Sequence, residues 1–146
     1  MIRFFGGRVM TLANGIETQD IEVWTEGSKI VFVGKPTAEE LDGKVFEREY
    51  DLKGNLLMPS FKNAHTHSAM TFLRSYADDM PLQDWLFKQI FPMEAKLDGE
   101  KVYWLTKLAI LEYLTTGCTA AFDMYFELDD YVKACIESGF RSVLCG

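Results

Sequence analysis

The chain has 146 residues, of which 48% are hydrophobic, so it holds enough apolar side chains for a core of ordinary size. Its 15 basic and 22 acidic side chains give a net charge of -7, which argues against a nucleic-acid backbone or an anionic membrane as the main partner. Because no apolar run reaches the roughly 18 residues of a membrane span and the N-terminus lacks a signal-peptide pattern, we expect a cytoplasmic chain.

The first third of the chain shows the alternation of polar and apolar residues that is typical of short β-strands. The segment Glu26-Gly27-Ser28 lies between two such runs and fits a tight hairpin turn. We therefore predict a small antiparallel N-terminal β-module of the β-sandwich type over residues 1–55. Its strands are expected at residues 2–5, 8–12, 20–25, 29–33 and 44–50.

Strands and helices alternate after Gly54. The clearest helix covers residues 99–116, with Asp98 as its N-cap and Gly117 just past its end. Strands are expected at 56–64, 119–125 and 141–145, and a second helix runs from 128 to Gly139. This order is typical of a parallel sheet with crossover helices, and it fits the opening of a doubly wound sheet or of an eight-stranded barrel.

The spacing of apolar residues predicts which face of each helix is buried. In the second helix, Val132, Cys135 and Ile136 share one face. The first helix has a wider apolar face, made by Val102, Leu105, Leu108, Ala109 and Leu114.

The barrel prediction has a consequence for the extent of the chain. An eight-stranded barrel needs about 250 residues, and the last predicted strand would leave a bare parallel edge. We therefore expect an α/β protein that is the N-terminal part of a longer enzyme. In this interpretation residues 56–146 are the start of a TIM (β/α)8 barrel, about three strands and two helices, truncated after the third strand.

The connection over residues 68–97 is far longer than an ordinary strand-to-helix loop. Its apolar residues predict a short amphipathic helix that starts near Pro81 and is stopped by Pro92. Loops at the carboxyl ends of parallel strands build the active sites of barrel enzymes. We therefore expect this loop to wall a pocket.

The two histidines of the chain, His65 and His67, lie two residues apart at the end of a predicted strand. In an extended strand alternate side chains point to the same face, so both imidazoles are expected side by side. Imidazole is the commonest protein ligand for zinc and similar cations. The histidine pair (His65 and His67) is thus half of a candidate metal site; the alternative is two polar residues at a strand end.

The context of the pair carries a more specific resemblance. The run Asp51-Leu-Lys-Gly-Asn-Leu-Leu-Met-Pro-Ser-Phe-Lys-Asn-Ala-His-Thr-His67 resembles the start of the catalytic barrel in the amidohydrolase superfamily, which a β-module precedes. Within that superfamily, the segments 72–79, 82–86 and 90–94 resemble the branch that deaminates 5′-methylthioadenosine and S-adenosylhomocysteine. The resemblance covers essentially the whole chain.

The resemblance implies metal-dependent hydrolytic deamination of an adenosine-type nucleoside. It assigns the histidine pair to one divalent metal ion, with zinc expected although iron, nickel and manganese also suit two imidazoles. It assigns Glu94 to the substrate, where a carboxylate can accept hydrogen bonds from both ribose hydroxyls. The further metal ligands and the proton-transfer groups of the family come from later strands, so no catalytic residue is assigned here. The chain itself is expected to be inactive, and a homo-oligomer is possible at full length.

Other interpretations stay open on the sequence. The substrate can be another heterocycle whose C–N or C–Cl bond an amidohydrolase cleaves, such as guanine or a triazine, or the chain can be a catalytically silent pseudoenzyme. Glu94 can be a plain solvated carboxylate, and Trp85 can be a core residue rather than a wall of the pocket. Asp123 lies among apolar neighbours and could face the barrel interior, with no catalytic role assigned.

Overall fold

A computed structural model describes residues 1–13 and 15–145. The chain is an α/β protein that divides into two compact units, Met1–Pro59 and Ser60–Gly146, whereas the sequence pattern predicts the division after residue 55. Within the described residues, no helix has the length and the apolar character that crossing a membrane requires.

The first unit consists of two small sheets. One has the strand order β5-β4-β1-β6 and the other the order β3-β2-β7. The elements are β1 (Ile2–Phe5), β2 (Arg8–Thr11), β3 (Glu17–Gln19), β4 (Glu22–Glu26), β5 (Lys29–Gly34), α1 (Ala38–Leu41), β6 (Arg48–Asp51) and β7 (Leu56–Leu57).

The prediction of a wholly antiparallel β-module is wrong, because both sheets are mixed. Strand β6 pairs parallel with β1, and β7 pairs parallel with β2. A parallel partner needs a crossover connection, and the sequence pattern missed the short helix α1 that lies in this connection. That helix begins with a capping box between Thr37 and Glu40.

The predicted hairpin is present as β4 and β5, with Gly27 at a φ of +56° in the turn. Its main core residue is Trp24, which is 3% exposed and stacks on Phe32 with 4.2 Å between ring centroids. Next to it, the Arg3 guanidinium forms a bidentate pair with Glu22, with nitrogen–oxygen distances of 2.7 and 2.8 Å.

The predicted strand over residues 56–64 is two strands in the structure. Leu56–Leu57 forms β7 in the first unit, and Phe61–Thr66 forms β8 in the second. The break falls at Pro59, which has no backbone N–H to give to a sheet. The apolar run was therefore a correct signal for strand structure, but one proline divides it between two sheets.

The second unit is built on a three-stranded parallel sheet, as predicted. The strands β8, β9 (Cys118–Met124) and β10 (Arg141–Cys145) lie in the order β10-β9-β8. They are connected through α4 (Gly99–Thr115) and α5 (Leu128–Ser138). The expected caps are confirmed: the Asp98 side chain accepts from the Lys101 N–H at 3.0 Å, and Gly139 ends α5 at a φ of +63°.

The buried faces of the two helices differ in part from the prediction. In α5 the buried residues are Tyr131, Ala134 and Cys135, while Ile136 is 74% exposed. Apolar spacing alone gave no weight to Tyr131, whose hydroxyl has a buried polar partner. In α4 the fully buried positions include Thr106, whereas the predicted core residues Leu108 and Leu114 are exposed.

The long connection between β8 and α4 is largely helical. A 3-10 helix covers Ser68–Leu73, directly after the histidine pair. A second helical stretch, here called the loop helix, is made of α2 (Leu82–Asp84), a π-helical turn (Trp85–Ile90) and α3 (Phe91–Glu94).

The loop helix starts after Pro81, as predicted, but Pro92 does not stop it. The wider π-helical turn ends with the Phe91 N–H bonded to the Leu86 carbonyl, and Pro92 then sits in the first turn of α3. A first-turn position needs no N–H from the proline. The π-turn thereby carries the helix past the proline as far as Glu94.

Candidate functional site

The histidine pair lies at the carboxyl end of β8, the edge strand of the parallel sheet. The two imidazole rings are neighbours, with 4.9 Å between centroids and an interplanar angle of 83°. His65 is exposed and His67 is half-buried. The side-by-side arrangement expected from strand geometry is therefore present.

One hydrogen bond sets the tautomer of the neutral His67 ring. Its Nδ1 lies 2.7 Å from the backbone carbonyl oxygen of Met124, at the end of the neighbouring strand β9. Because a carbonyl oxygen only accepts, Nδ1 carries the proton and the lone pair of the neutral ring is on Nε2. Metal-binding histidines typically have this arrangement, in which the second ring nitrogen donates to a backbone carbonyl or a carboxylate.

The pair fits a divalent cation chemically, but it supplies only two ligands. In the part of the chain that the structure describes, no group of three or more His, Cys, Asp or Glu side chains is placed to hold a metal. A tetrahedral site needs further ligands from outside this group.

The residues that alternate with the histidines point to the other side of the strand and are anchored there. The Thr66 hydroxyl bonds the Tyr113 hydroxyl, and the Ser68 hydroxyl lies 3.0 Å from the same phenol oxygen. Ser68 also contacts Asp123, which is fully buried. The strand end that carries the histidine pair is thus held by a buried polar cluster on the helix-covered side of the sheet.

Asp123 is placed differently from the sequence-based expectation of a barrel-interior position. Its carboxylate accepts from the Tyr131 hydroxyl of α5 at 2.7 Å, so it lies on the helix-covered face. The exposed neighbours Phe122 and Met124 occupy the opposite face. The signal in the sequence that marks this position as special is a carboxylate between two apolar residues of a predicted strand.

A pocket of about 990 Å³ opens beside His67 and is walled by the loop helix. This volume is in the range of small-molecule sites, which are mostly apolar with a few polar groups. Its wall includes His67, Met70, Trp85, Phe91, Glu94 and Tyr125. The structure therefore brings His67 and Glu94 to one cavity, whereas His65 is not part of its wall. The expected role of the long loop as a wall is present.

Tyr125 is a site residue that the sequence analysis missed. It is 7% exposed, and its hydroxyl has no hydrogen-bond partner among the described residues. Burial, followed by the charge of the nearby Glu94 carboxylate, raises the pKa of Tyr125 well above its usual range. The hydroxyl therefore keeps its proton and lies close to the Glu94 carboxylate.

Comparison with models of protein families shows which family the chain belongs to. Residues 56–146 match the model of the amidohydrolase family. The chain belongs to the amidohydrolase family. The matched residues of this amidohydrolase include the histidine pair, the loop helix and the parallel sheet.

Individual relatives are named as deaminases. The 5-methylthioadenosine/S-adenosylhomocysteine deaminase of Desulfitobacterium hafniense is 43% identical over 123 residues, which are 84% of this chain and 28% of that protein. The 5'-deoxyadenosine deaminase of Methanoregula boonei is 53% identical over 95 residues, 65% of this chain and 22% of that protein.

The fold of the chain is also similar to that of a solved deaminase structure. The amidohydrolase chain is similar to an adenosine deaminase from Xanthomonas campestris with bound zinc, at a TM-score of 0.89 and 34% identity. The match covers 97% of this chain and 33% of that one. The chain thus spans between 22% and 33% of the length of these three relatives.

Proposed function

We propose that this chain is the opening part of a metal-dependent deaminase that acts on an adenosine-type nucleoside with a modified 5′ end. The observation that carries the proposal is the shared pocket of His67 and Glu94, which joins a candidate metal ligand and a candidate substrate ligand. The names of the relatives support the reaction class. In this proposal β8, β9 and β10 are the first three strands of a (β/α)8 barrel.

His65 and His67 are the proposed metal ligands in this chain, with zinc as the expected ion. A bound divalent cation lowers the pKa of water towards neutrality and supplies the nucleophile for hydrolysis. The chain contributes the orientation of the ligands: the Nδ1–H of His67 is held by the Met124 carbonyl, which leaves Nε2 as the binding atom.

Glu94 is the proposed ligand of the ribose hydroxyls. It is half-buried at the end of the loop helix and lies on the wall of the pocket. A carboxylate accepts two hydrogen bonds at once, which matches a pair of neighbouring hydroxyl donors. The position of Glu94 depends on the π-turn, because a helix that stopped at Pro92 would not carry it to the cavity.

The rest of the wall suits the less polar parts of such a nucleoside. Trp85 and Phe91 offer flat apolar surfaces for an adenine ring or for a 5′ group such as a thioether. Met70 and Met124 add polarizable side chains, which adapt to an irregular apolar ligand. This lining supports the proposal of an adenosine-type compound whose 5′ hydroxyl is replaced by a less polar group.

The reaction replaces the amino group of the adenine ring by oxygen from water and releases ammonia. It needs groups that move protons between water, the ring and the leaving amine. Both histidines of this chain are assigned to the metal, so these groups are proposed to come from other strands of the full-length protein. We therefore propose that the 146-residue chain alone has no deaminase activity.

The test is ammonia release by the purified full-length protein. We expect turnover of 5′-methylthioadenosine, S-adenosylhomocysteine or 5′-deoxyadenosine, and none by the 146-residue chain under the same conditions. Guanine and a chlorinated triazine serve as the competing substrates. Turnover of either of them without any turnover of the adenosine compounds would overturn the proposed substrate class.

A further inference from the structure

We infer that Asp123 is a positioning residue for His67: it holds the strand end so that the His67 ring keeps Nε2 free for a metal ion. The inference rests on the proposed metal role of His67. It assigns to the site a carboxylate that contacts neither the pocket nor the histidine itself.

The burial of Asp123 is the first observation. Its side chain is fully buried, and no Lys or Arg of the described residues forms an ion pair with it. An isolated buried carboxylate is strongly unfavourable unless hydrogen bonds replace its lost hydration. The position of Asp123 in the core therefore depends on the hydrogen bonds that its carboxylate accepts.

The Asp123 carboxylate is surrounded by hydrogen-bond donors. It accepts from the backbone N–H of Ser68 at 3.2 and 3.3 Å, from the Ser68 hydroxyl and from the Tyr131 hydroxyl at 2.7 Å. Each of these donors is held in one orientation by its bond to the carboxylate oxygens. Two of the three donors belong to Ser68, the residue that follows His67.

These contacts close a ring around the histidine. Ser68 follows His67 just past the end of β8, and Met124 follows Asp123 at the end of β9. The Ser68 N–H donates to Asp123, while the His67 ring donates to the Met124 carbonyl at 2.7 Å. The same two strand ends are therefore joined twice, once through the backbone after His67 and once through its side chain.

The second contact depends on the first. If Asp123 releases Ser68, the backbone after His67 loses its anchor and the ring can move away from the Met124 carbonyl. Nδ1 then no longer has a fixed acceptor, and the proton can shift to Nε2, the nitrogen needed for the metal. Partners of this indirect kind typically change metal affinity by about 10- to 100-fold when they are replaced.

The critical variant is Asp123→Asn, which keeps the shape but places an amide donor where only acceptors fit. In the metal-free full-length protein, we expect the ¹⁵N resonances of His67 to show the Nδ1–H tautomer, and the variant to show a shift towards the Nε2–H form. We expect zinc to bind the variant about 10- to 100-fold more weakly. Tyr131→Phe, which removes one donor and keeps the carboxylate, should shift both readouts in the same direction by less.

The control is Val102→Ala, which makes a cavity in the same core and removes none of the hydrogen-bonding groups of Asp123, Ser68 or His67. It should lower the melting temperature without changing the tautomer or the zinc affinity. An unchanged His67 tautomer in Asp123→Asn, or in Tyr131→Phe if the first variant does not fold, would overturn the inference. The tautomer is read without metal, so this failure is distinct from a failure of zinc to bind the unmodified protein, which would count against the proposed function.

Discussion

The His67 ring and the Met124 carbonyl oxygen are joined by a hydrogen bond of 2.7 Å across the ends of β8 and β9. The bond links a candidate metal ligand directly to the second strand of the parallel sheet. It sets the neutral tautomer of the ring, with Nε2 as the free nitrogen. The candidate site is therefore organised by the sheet itself, before any ligand is bound.

Replacing Glu94 by glutamine should weaken nucleoside binding. We expect Glu94→Gln to raise KM for 5′-methylthioadenosine by about 10- to 100-fold, because charge-assisted hydrogen bonds to the ribose are lost. Bound zinc should stay unchanged. Steady-state kinetics of the full-length protein measure the first effect and elemental analysis the second.

Two controls sharpen this measurement. Glu127→Gln makes the same substitution at another position on the wall of the pocket and should leave KM near its original value. A 2′,3′-dideoxy substrate analogue has no ribose hydroxyls, so Glu94→Gln and the unmodified protein should handle it equally. A large difference on that analogue would show that Glu94 does not act on the ribose.

Two tyrosine variants should differ in stability. Tyr131→Phe removes a donor from the buried Asp123 carboxylate and should cost about 1–3 kcal/mol of unfolding free energy. Tyr125→Phe removes a buried hydroxyl that has no partner among the described residues, so its effect should be close to zero or stabilising. Denaturant unfolding of both variants tests the contrast. Equal losses would mean that the Tyr131 bond does not contribute.

The stability of the first unit should depend on pH through Glu22. Its hydrogen bonds from Arg3, and then from the Trp24 indole, lower the pKa of Glu22 in the folded protein. A lowered pKa means that the ion pair stabilises the fold above the unfolded pKa of about 4.3, and that this contribution is lost as the pH falls through the folded value.

The variant Glu22→Gln should thus be less stable than the unmodified protein at pH 7 by about 1–2 kcal/mol, with the difference shrinking under acid conditions. Thermal unfolding between neutral and acid pH measures it. Glu49→Gln is the matched control, since Glu49 also binds Arg3 but is 48% exposed and should contribute little. A Glu22→Gln difference that grows towards low pH would contradict the assignment.

Local signals in the sequence predicted much of the fold. The Asp98 cap and the glycines at 117 and 139 set the ends of α4 and α5, because capping depends on residues within one turn. The alternation of a strand likewise placed the two imidazoles side by side. The family resemblance from the motif around His65 and His67 was confirmed by the match over residues 56–146.

Features that depend on distant partners were not predictable in this way. The burial of Asp123 is explained by its hydrogen bonds with Ser68, which lies 55 residues away in the chain, and with Tyr131. Apolar spacing did not predict that the helix face of Tyr131 is buried. The passage of the loop helix through Pro92 depends on a π-turn, which no local propensity indicates. Glu94 lies at the end of this helical stretch, on the wall of the pocket that His67 also lines, so the cavity was expected but not its construction.

The most direct test of the account is the metal content of the full-length protein and of its variants His65→Ala and His67→Ala. We expect about one equivalent of zinc in the unmodified protein and a loss of most of it in each variant, because each removes one imidazole ligand. Lys62→Ala, an exposed change on the same strand, should keep the metal. Full zinc occupancy in both histidine variants would contradict the account.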